Sequence, residues 1–267
     1  MVTWDSVDLD NSASETGVVH ESVTNADHND ASLLKQGYEI ANPYLSTIGY
    51  WPLHENSGGT AYEFSGNAPN GITNGGVTQG VSGLLGTTAY SFDGTDDYVD
   101  ISSPNDVFSG NQEYSFSAWV KADSSRNGTE TCVSVGALND VHFNTKGINS
   151  NPPELQIWNG STNNFVKGDT DITGGGWNFI VATYDPNDGM TFYQNATQTD
   201  TNSFTGSSNN SPDDTCAIGD RPRKDRQHTG DIADVRIHDV ELTSSQVQFM
   251  YDVVKSQGSL TTQFKTI

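Results

Sequence analysis

Eight residues near the middle of the chain alternate between two faces, and this pattern limits the fold more than any other feature. In the stretch 114–121 one face of an extended segment carries Tyr114, Phe116, Ala118 and Val120. The other face carries Ser115, Ser117, Trp119 and Lys121. A period of two is typical of a half-buried strand, whereas a helix would scatter both sets. Stretches 90–99, 177–184 and 190–195 match it, so we predict the inner strands of a β-sandwich.

The composition fits one large all-β domain with appended segments better than two equal domains. The chain has 267 residues, 27 of them glycine, and no long window of helical periodicity. A chain of this length can bury a sizeable core.

Charged residues are mostly acidic, with 34 Asp and Glu against 12 Lys and Arg and a formal net charge of -22. Phosphate binding needs a basic patch, so we exclude nucleic acid as a partner. The acidic excess has two interpretations. It provides a soluble surface or a set of calcium sites, or it is an adaptation to molar salt, where screening over about 3 Å removes the self-repulsion of the carboxylates. The low lysine content and the even spread of charge favour the halophilic interpretation.

Two cysteines, Cys132 and Cys216, each adjoin a short apolar run typical of a strand. They could face each other across neighbouring strands and form a disulfide, or they could be two buried thiols. The six histidines are isolated and no zinc-ligand spacing is present, so ordinary surface or cap roles are expected for them.

The N-terminal segment, residues 1–44, is polar and cannot bury enough apolar surface to fold alone. We predict an extended arm that contacts the domain or a neighbouring subunit through residues 32–34 and 38–40; a disordered leader is the alternative. The first residues have no basic segment followed by an apolar run, so we expect no signal peptide, and no apolar run in the sequence is long enough to span a bilayer. We therefore expect no membrane insertion, and a location on an extracellular surface or a virion.

Eight short motifs follow one another between about residues 48 and 252. They are Tyr50–Glu55, Phe64–Asn67, Ser91–Gly94 with Asp97–Val99, Phe116–Val120, Gly176–Asp185, Thr191–Asn195, Ala217–Asp220 and Gly230–Ile237. In this order they resemble the signature strands of the laminin G-like, concanavalin A-like jelly-roll family. The resemblance implies an all-β sandwich of two antiparallel sheets, with about six strands in each.

A short amphipathic helix is predicted after the last strand, because Val247, Met250 and Tyr251 share one helical face and Thr243 can cap it. With this helix the jelly-roll domain covers residues 45–257. Residues 258–267 are then a C-terminal tail, and their alternation would allow them to add a strand to a sheet edge.

The sequence lacks the arrangements expected of an enzyme. Glycoside hydrolases built on this type of sandwich take two carboxylates, about 5 Å apart, from a Glu-x-Asp-x-x-Glu strand. That spacing is absent, and no nucleophile elbow marks a protease or esterase triad. Asp93–Asp97 is a turn sequence. We predict that the protein is not an enzyme.

The resemblance also implies a structural calcium ion. Carried over position by position, its ligands are Glu63, Asn67 and Asp234. The family usually has Asp at the position of Glu63, and the longer side chain would shift or abolish the site. Alternatively, Asp231 and Asp234 are simply outward-facing strand residues.

Sugar recognition needs an aromatic platform flanked by hydrogen-bonding groups. Trp158 is the best candidate for that platform, although the alternating strand around it favours a core position. The loop 220–226 holds four of the twelve basic residues. We predict that Arg221, Arg223 and Arg226 contact an acidic glycan or an acidic partner subunit, or else only neutralise their Asp neighbours.

We therefore expect a non-catalytic, lectin-like module of a surface or virion. Its arm would attach it to other structural subunits in a homo-oligomer, and the sandwich would bind a glycan or a host surface. One alternative is a purely structural decoration or spoke of a particle; a polysaccharide-active enzyme is another. The polar extensions and the acidic surface resemble haloarchaeal and haloarchaeal-virus structural proteins.

Overall fold

The computed structural model describes residues 43–102, 112–123, 128–135, 141–148, 152–208, 215–221 and 224–263. Residues 40–267 form one compact unit. Nearly all of the arm predicted for residues 1–44 lies outside the described residues.

The described residues form sixteen strands and one α-helix. The strands are β1 (Thr47–Trp51), β2 (Thr60–Ala61), β3 (Gly71–Asn74), β4 (Thr78–Ser82), β5 (Thr88–Asp93), β6 (Tyr98–Ser102), β7 (Tyr114–Ala122), β8 (Glu130–Val135), β9 (Val141–Lys146), β10 (Glu154–Trp158), β11 (Asn163–Lys167), β12 (Asn178–Asp185), β13 (Gly189–Gln194), β14 (Thr197–Asn202), β15 (Thr215–Ile218) and β16 (Thr229–His238). The helix α1 spans Ser244–Gln263, and short 3-10 turns lie at Pro43–Ser46 and Leu84–Gly86.

The strands form two eight-stranded antiparallel sheets. The first sheet has the order β14-β13-β12-β7-β16-β5-β4, with β1 also paired to β16. The second sheet has the order β11-β10-β9-β8-β15-β6-β3-β2. The predicted all-β jelly-roll sandwich is confirmed, with eight strands in each sheet rather than about six.

The main core lies between the sheets and follows the predicted alternation. Phe116, Ala118 and Val120 of β7 point into it. The other face of β7 is buried too, because Trp119 belongs to a second apolar cluster together with residues of α1. The prediction of a half-buried strand was therefore wrong for β7. Both of its faces are covered, and only Lys121 of this strand is exposed.

Helix α1 covers the outer face of the first sheet. Val247 and Met250 are buried against it, and Tyr251 stacks on Trp119 with ring centroids 5.6 Å apart. This confirms the predicted helical face. The helix extends to Gln263, so residues 258–263 are helical and not an edge strand, while residues 264–267 lie outside the described residues. The described part of the chain contains no helix with the length and hydrophobicity of a membrane span.

Both cysteines are free, buried thiols, which corrects the disulfide interpretation in favour of its alternative. They do lie on neighbouring antiparallel strands, as expected. The register, however, places Cys216 opposite Val135, three residues away from Cys132. Three strand residues span about 10 Å, well beyond the reach of a disulfide. Burial raises the pKa of Cys132 above its usual range and that of Cys216 to about 12.

Candidate functional site

The outer face of the second sheet is the polar counterpart of the helix-covered face of the first sheet. In β10, Leu155 and Ile157 point into the core, so Glu154, Gln156 and Trp158 point outward. The pairing of β9, β10 and β11 continues this face with five further side chains: His142, Asn144, Asn163, Phe165 and Lys167.

Aromatic side chains occupy the β10–β11 hairpin on this face. Trp158 is paired with Asn163, and Gln156 with Phe165, so Trp158 and Phe165 are diagonal neighbours about 7 Å apart. Both rings are partly exposed, and neither belongs to an apolar cluster of the described residues. Trp158 is thus an outward-facing residue, and the core position that its strand pattern favoured was wrong.

Hydrogen bonds between the strands hold the polar groups of the face in place. Gln156 Nε2 donates to Asn163 Oδ1 over 2.7 Å, which leaves the Asn163 amide nitrogen as a donor toward solvent. One row further, Asn144 Nδ2 donates to Glu154 Oε1 over 3.2 Å, and the Ile148 N–H donates to the same oxygen over 3.0 Å. The Glu154 carboxylate is therefore part of the framework.

The loop that follows β15 folds back over the middle of this face. At its start, the buried Asp220 Oδ1 accepts the backbone N–H groups of Arg221, over 2.7 Å, and Arg226, over 3.1 Å. The Asp220 carbonyl accepts a hydrogen bond from Ser134 Oγ of β8. Lys224 donates to the Tyr98 hydroxyl of β6 and lies 4.4 Å from the centre of its ring. One buried carboxylate thus shapes the loop and fixes where its arginines point.

Two of the predicted arginines, Arg221 and Arg226, have different roles in the structure. The third, Arg223, lies outside the described residues. Arg221 is buried and forms a two-fold pair with Asp225, in which the Nη2–Oδ2 distance is 2.6 Å. For Arg221, the alternative of neutralising an Asp neighbour is the better description. Arg226 Nη1 instead donates to Gln156 Oε1 over 2.9 Å and joins the aromatic face.

Burial controls the electrostatics of this face. Burial, followed by the positive charge of Arg221, lowers the pKa of Arg226 to about 10, while Asp225 and Glu154 act in the opposite direction. Burial also holds the pKa of His142 well below its usual range, with further lowering by Arg226 and Arg221. His142 is therefore a neutral imidazole at physiological pH.

The predicted calcium ligands lie around β1 and β16. The Glu63 carboxylate accepts three backbone N–H groups, from Tyr50 over 2.9 Å, Ser65 over 2.7 Å and Gly66 over 2.8 Å. Asn67 Nδ2 donates to the Thr47 carbonyl over 3.3 Å. These contacts hold the loop between β2 and β3, which carries Glu63 and Asn67, against β1.

The third predicted ligand, Asp234, lies at a bulge of β16 with φ 53° and is paired with Arg236 over 2.9 Å. The Arg236 guanidinium also lies 3.6 Å from the centre of the Tyr50 ring. As arranged, the three side chains do not fit a calcium ion, because a positive charge already occupies the Asp234 carboxylate. Calcium at this position stays a prediction that would require Asp234 to leave Arg236.

Three other carboxylates come together at the turn between β5 and β6. Asp93, Asp96 and Asp97 each bring one oxygen within 4.8 Å of the others. Their hydrogen bonds serve the turn itself: Asp97 Oδ2 accepts the Asp93 N–H over 2.9 Å, and Asp93 Oδ1 accepts the Thr95 N–H over 2.7 Å. This agrees with the turn predicted for the sequence.

Sequence reasoning missed Phe165, Gln156 and Asn163 as members of the aromatic face. The signal was present in part, since Trp158 and residues 163–167 flank the turn at Gly160. A hairpin interpretation of this segment would have placed Phe165 on the same face as Trp158.

A family model described as the concanavalin A-like lectin/glucanases superfamily matches residues 93–248. No curated protein sequence matches the chain.

Solved structures share the fold at low sequence identity. The receptor-binding domain of botulinum neurotoxin mosaic serotype C/D has 17% identity and a TM-score of 0.62, over 79% of this chain and 51% of that chain. The binding domain of Paraclostridial Mosquitocidal Protein 1 has 15% identity and a TM-score of 0.61, over 79% and 52%. This chain thus spans about half the length of those toxin domains. Domain 4 of AbnA, a GH43 extracellular arabinanase from Geobacillus stearothermophilus in complex with arabinotriose, has 19% identity and a TM-score of 0.59, over 77% and 98%.

Proposed function

The chain belongs to the concanavalin A-like lectin/glucanases superfamily, and on that premise we propose that it is a non-catalytic, lectin-like module that binds glycans. The outer face of the β10–β11 hairpin is the proposed site. One observation carries the proposal: Trp158 and Phe165 are partly exposed diagonal neighbours beside the hydrogen-bonded groups of Gln156, Asn163 and Arg226.

This combination matches the two surfaces of a sugar ring. The apolar face of a pyranose packs against an aromatic ring, while its hydroxyls need hydrogen-bond donors and acceptors at the edge. Trp158 and Phe165 supply the rings, and the Asn163 amide nitrogen and the Arg226 guanidinium supply donors. Because interstrand hydrogen bonds hold Gln156 and Asn163, little side-chain entropy is lost on binding.

Structural neighbours give the proposal support at the level of the fold. The AbnA domain was solved with arabinotriose, and cell entry of botulinum neurotoxin type C depends on interaction with two ganglioside molecules. AbnA is an extracellular enzyme, which agrees with a module that acts outside the cell.

Glycan-array binding of the full chain, in molar and in 0.15 M salt, tests the proposal. Trp158→Ala and Phe165→Ala are expected to weaken binding to any positive glycan about tenfold, since one aromatic contact contributes about 0.5–1.5 kcal/mol beyond its buried area. Tyr62→Ala is the matched control, because Tyr62 is 52% exposed and lies outside this face. Equal weakening by Tyr62→Ala would place the site elsewhere.

We further propose that the module belongs to a surface or virion assembly, to which residues 1–44 attach it. The polar composition of this arm and the acidic surface support that setting. A chain that assembles but binds nothing on the array would favour the alternative, a structural decoration or spoke.

A further inference from the structure

Arg226 is held rigidly on the aromatic face. Its backbone N–H donates to Asp220 Oδ1 over 3.1 Å, and its carbonyl accepts the Thr131 N–H over 2.9 Å. Its side chain then reaches Gln156 Oε1 over 2.9 Å. The position of the guanidinium is therefore set by the framework before any ligand binds.

This guanidinium has no carboxylate partner within ion-pair distance among the described residues, and its other N–H groups are not sealed from solvent. The other two arginines of the described chain behave differently: Arg221 holds Asp225 and Arg236 holds Asp234. In a chain with 34 acidic and 12 basic residues, an unpaired and partly buried arginine stands out. Burying a charge without a partner is unfavourable, so a ligand that supplies the opposite charge would be stabilised there.

Asp225 and Glu154 act on the charge of Arg226 through space, but among the described residues neither lies within ion-pair distance of its guanidinium. His142 beneath the loop is neutral, and the Glu154 carboxylate accepts hydrogen bonds from Asn144 and Ile148. Asp225 is held by Arg221. The donors that face solvent here include the Arg226 guanidinium, the Asn163 amide nitrogen and the exposed Lys167 at the hairpin edge.

We propose that Arg226 selects glycans with a carboxylate-bearing sugar, of the uronic or sialic acid class. The carboxylate would accept hydrogen bonds from the guanidinium N–H groups of Arg226 that do not bind Gln156. The planar guanidinium matches the geometry of two carboxylate oxygens. The ring of the same or the adjacent sugar would rest on Trp158 and Phe165. This inference rests on the proposed glycan-binding function and names its ligand class.

The net charge of the protein does not prevent this selection. Exposed charges are screened beyond about 8 Å at 0.15 M salt, and beyond about 3 Å at 1 M. A partly buried contact with Arg226 is screened much less. The preference for acidic sugars is therefore expected to persist in molar salt.

Binding of matched glycan pairs to the full chain tests the proposal by calorimetry. The probes are oligogalacturonate against its methyl ester, and sialyllactose against lactose. For wild type we expect at least one acidic probe to bind about tenfold or more tightly than its neutral counterpart. Arg226→Gln should remove that preference by weakening the acidic probe more than its neutral counterpart, while Arg226→Lys should retain part of the preference. Lys224→Gln, which removes one charge from the same loop, should change affinity less than threefold.

The outcomes separate this proposal from the one on which it rests. If wild type binds a neutral probe as tightly as its acidic partner, acidic selection is overturned while glycan binding stands. If Arg226→Gln keeps the preference, Arg226 is not its source. If none of these probes and no glycan on the array binds, glycan binding itself fails. If Arg226→Gln does not fold, the comparison of Arg226→Lys with wild type still tests whether Arg226 is the source of the preference.

Discussion

At the residue scale, the contacts of single side chains distinguish framework residues from residues available to a ligand. Arg221 and Arg226 are five positions apart in one loop. Arg221 forms an ion pair with Asp225, whereas Arg226 donates a hydrogen bond to the neutral amide of Gln156. Trp119 and Trp158 show the same contrast. Trp119 is 1% exposed between Phe179 and Tyr251, whereas Trp158 points outward from β10.

Trp119 provides a test of the second apolar cluster. Trp119→Ala is expected to lower the free energy of unfolding by about 3–5 kcal/mol, because it leaves a cavity between β7 and α1. The Trp119 Nε1 atom has no hydrogen-bond partner among the described residues, so Trp119→Phe should cost under about 1.5 kcal/mol. Denaturant unfolding followed by circular dichroism measures both variants. Equal costs would show that the indole is not packed as described.

At the element scale, the two sheets differ in what covers their outer faces. The first sheet is covered by α1, and the second by the loop after β15, which leaves the β10–β11 hairpin available. The start of α1 is fixed by a reciprocal cap: the Thr243 N–H donates to Gln246 Oε1 over 2.8 Å, and the Gln246 N–H donates to Thr243 Oγ1 over 3.3 Å. The predicted capping role of Thr243 is confirmed.

The cap predicts a moderate effect on stability. Thr243→Ala should reduce the free energy of unfolding by about 1 kcal/mol, because the Gln246 N–H loses its acceptor at the first turn of the helix. Thr243→Ser keeps the hydroxyl and should stay within about 0.5 kcal/mol of wild type. Thermal unfolding compares the two. A harmless Thr243→Ala variant would mean that packing alone positions α1.

At the scale of the whole molecule, the formal net charge of -22 leaves far more carboxylates than basic side chains to pair with them. Among the described residues, the basic side chains with ion pairs include Lys121, Arg221 and Arg236. With 12 basic residues for 34 acidic ones, most carboxylates have to be screened by ions of the solvent, and adaptation to molar salt stays a prediction.

Stability should therefore depend on salt. Dilution from about 2 M to 0.1 M sodium chloride is expected to lower Tm by about 10 °C or more, since the Debye length grows from under 3 Å to about 10 Å and the carboxylates then repel. Calorimetric scans across this range measure the effect, with sucrose in place of salt as a non-ionic control. A Tm that stays constant would contradict the halophilic adaptation.

The arm provides a second prediction for the whole molecule. Tyr44 belongs to the folded unit, because the Arg236 guanidinium lies 4.5 Å from its ring centre and the Phe249 ring is 6.3 Å away. Deleting residues 1–41 should thus leave Tm unchanged within a few degrees, whereas deletion through residue 44 removes this contact. If the full chain forms the proposed oligomer, we expect the shorter deletion to abolish it in size-exclusion chromatography with light scattering. An unchanged oligomer would make the arm dispensable for assembly.

The sequence by itself determined the strands and their core faces. Side chains alternate along any extended segment, so the pattern of residues 114–121 placed Phe116, Ala118 and Val120 inside without knowledge of the partner strands. The helix with its cap was equally local, since Thr243 and Gln246 are three residues apart.

Only the tertiary structure decided what lies on the outer faces. Trp119 and Trp158 both alternate along strands, yet the distant helix α1 covers Trp119, whereas Trp158 stays partly exposed. Cys132 and Cys216 are on neighbouring strands, and a three-residue offset in register separates their thiols. Arg226 meets Gln156 across 70 residues of sequence. Register and loop path depend on the packing of the whole sandwich, and a local pattern carries no information about them.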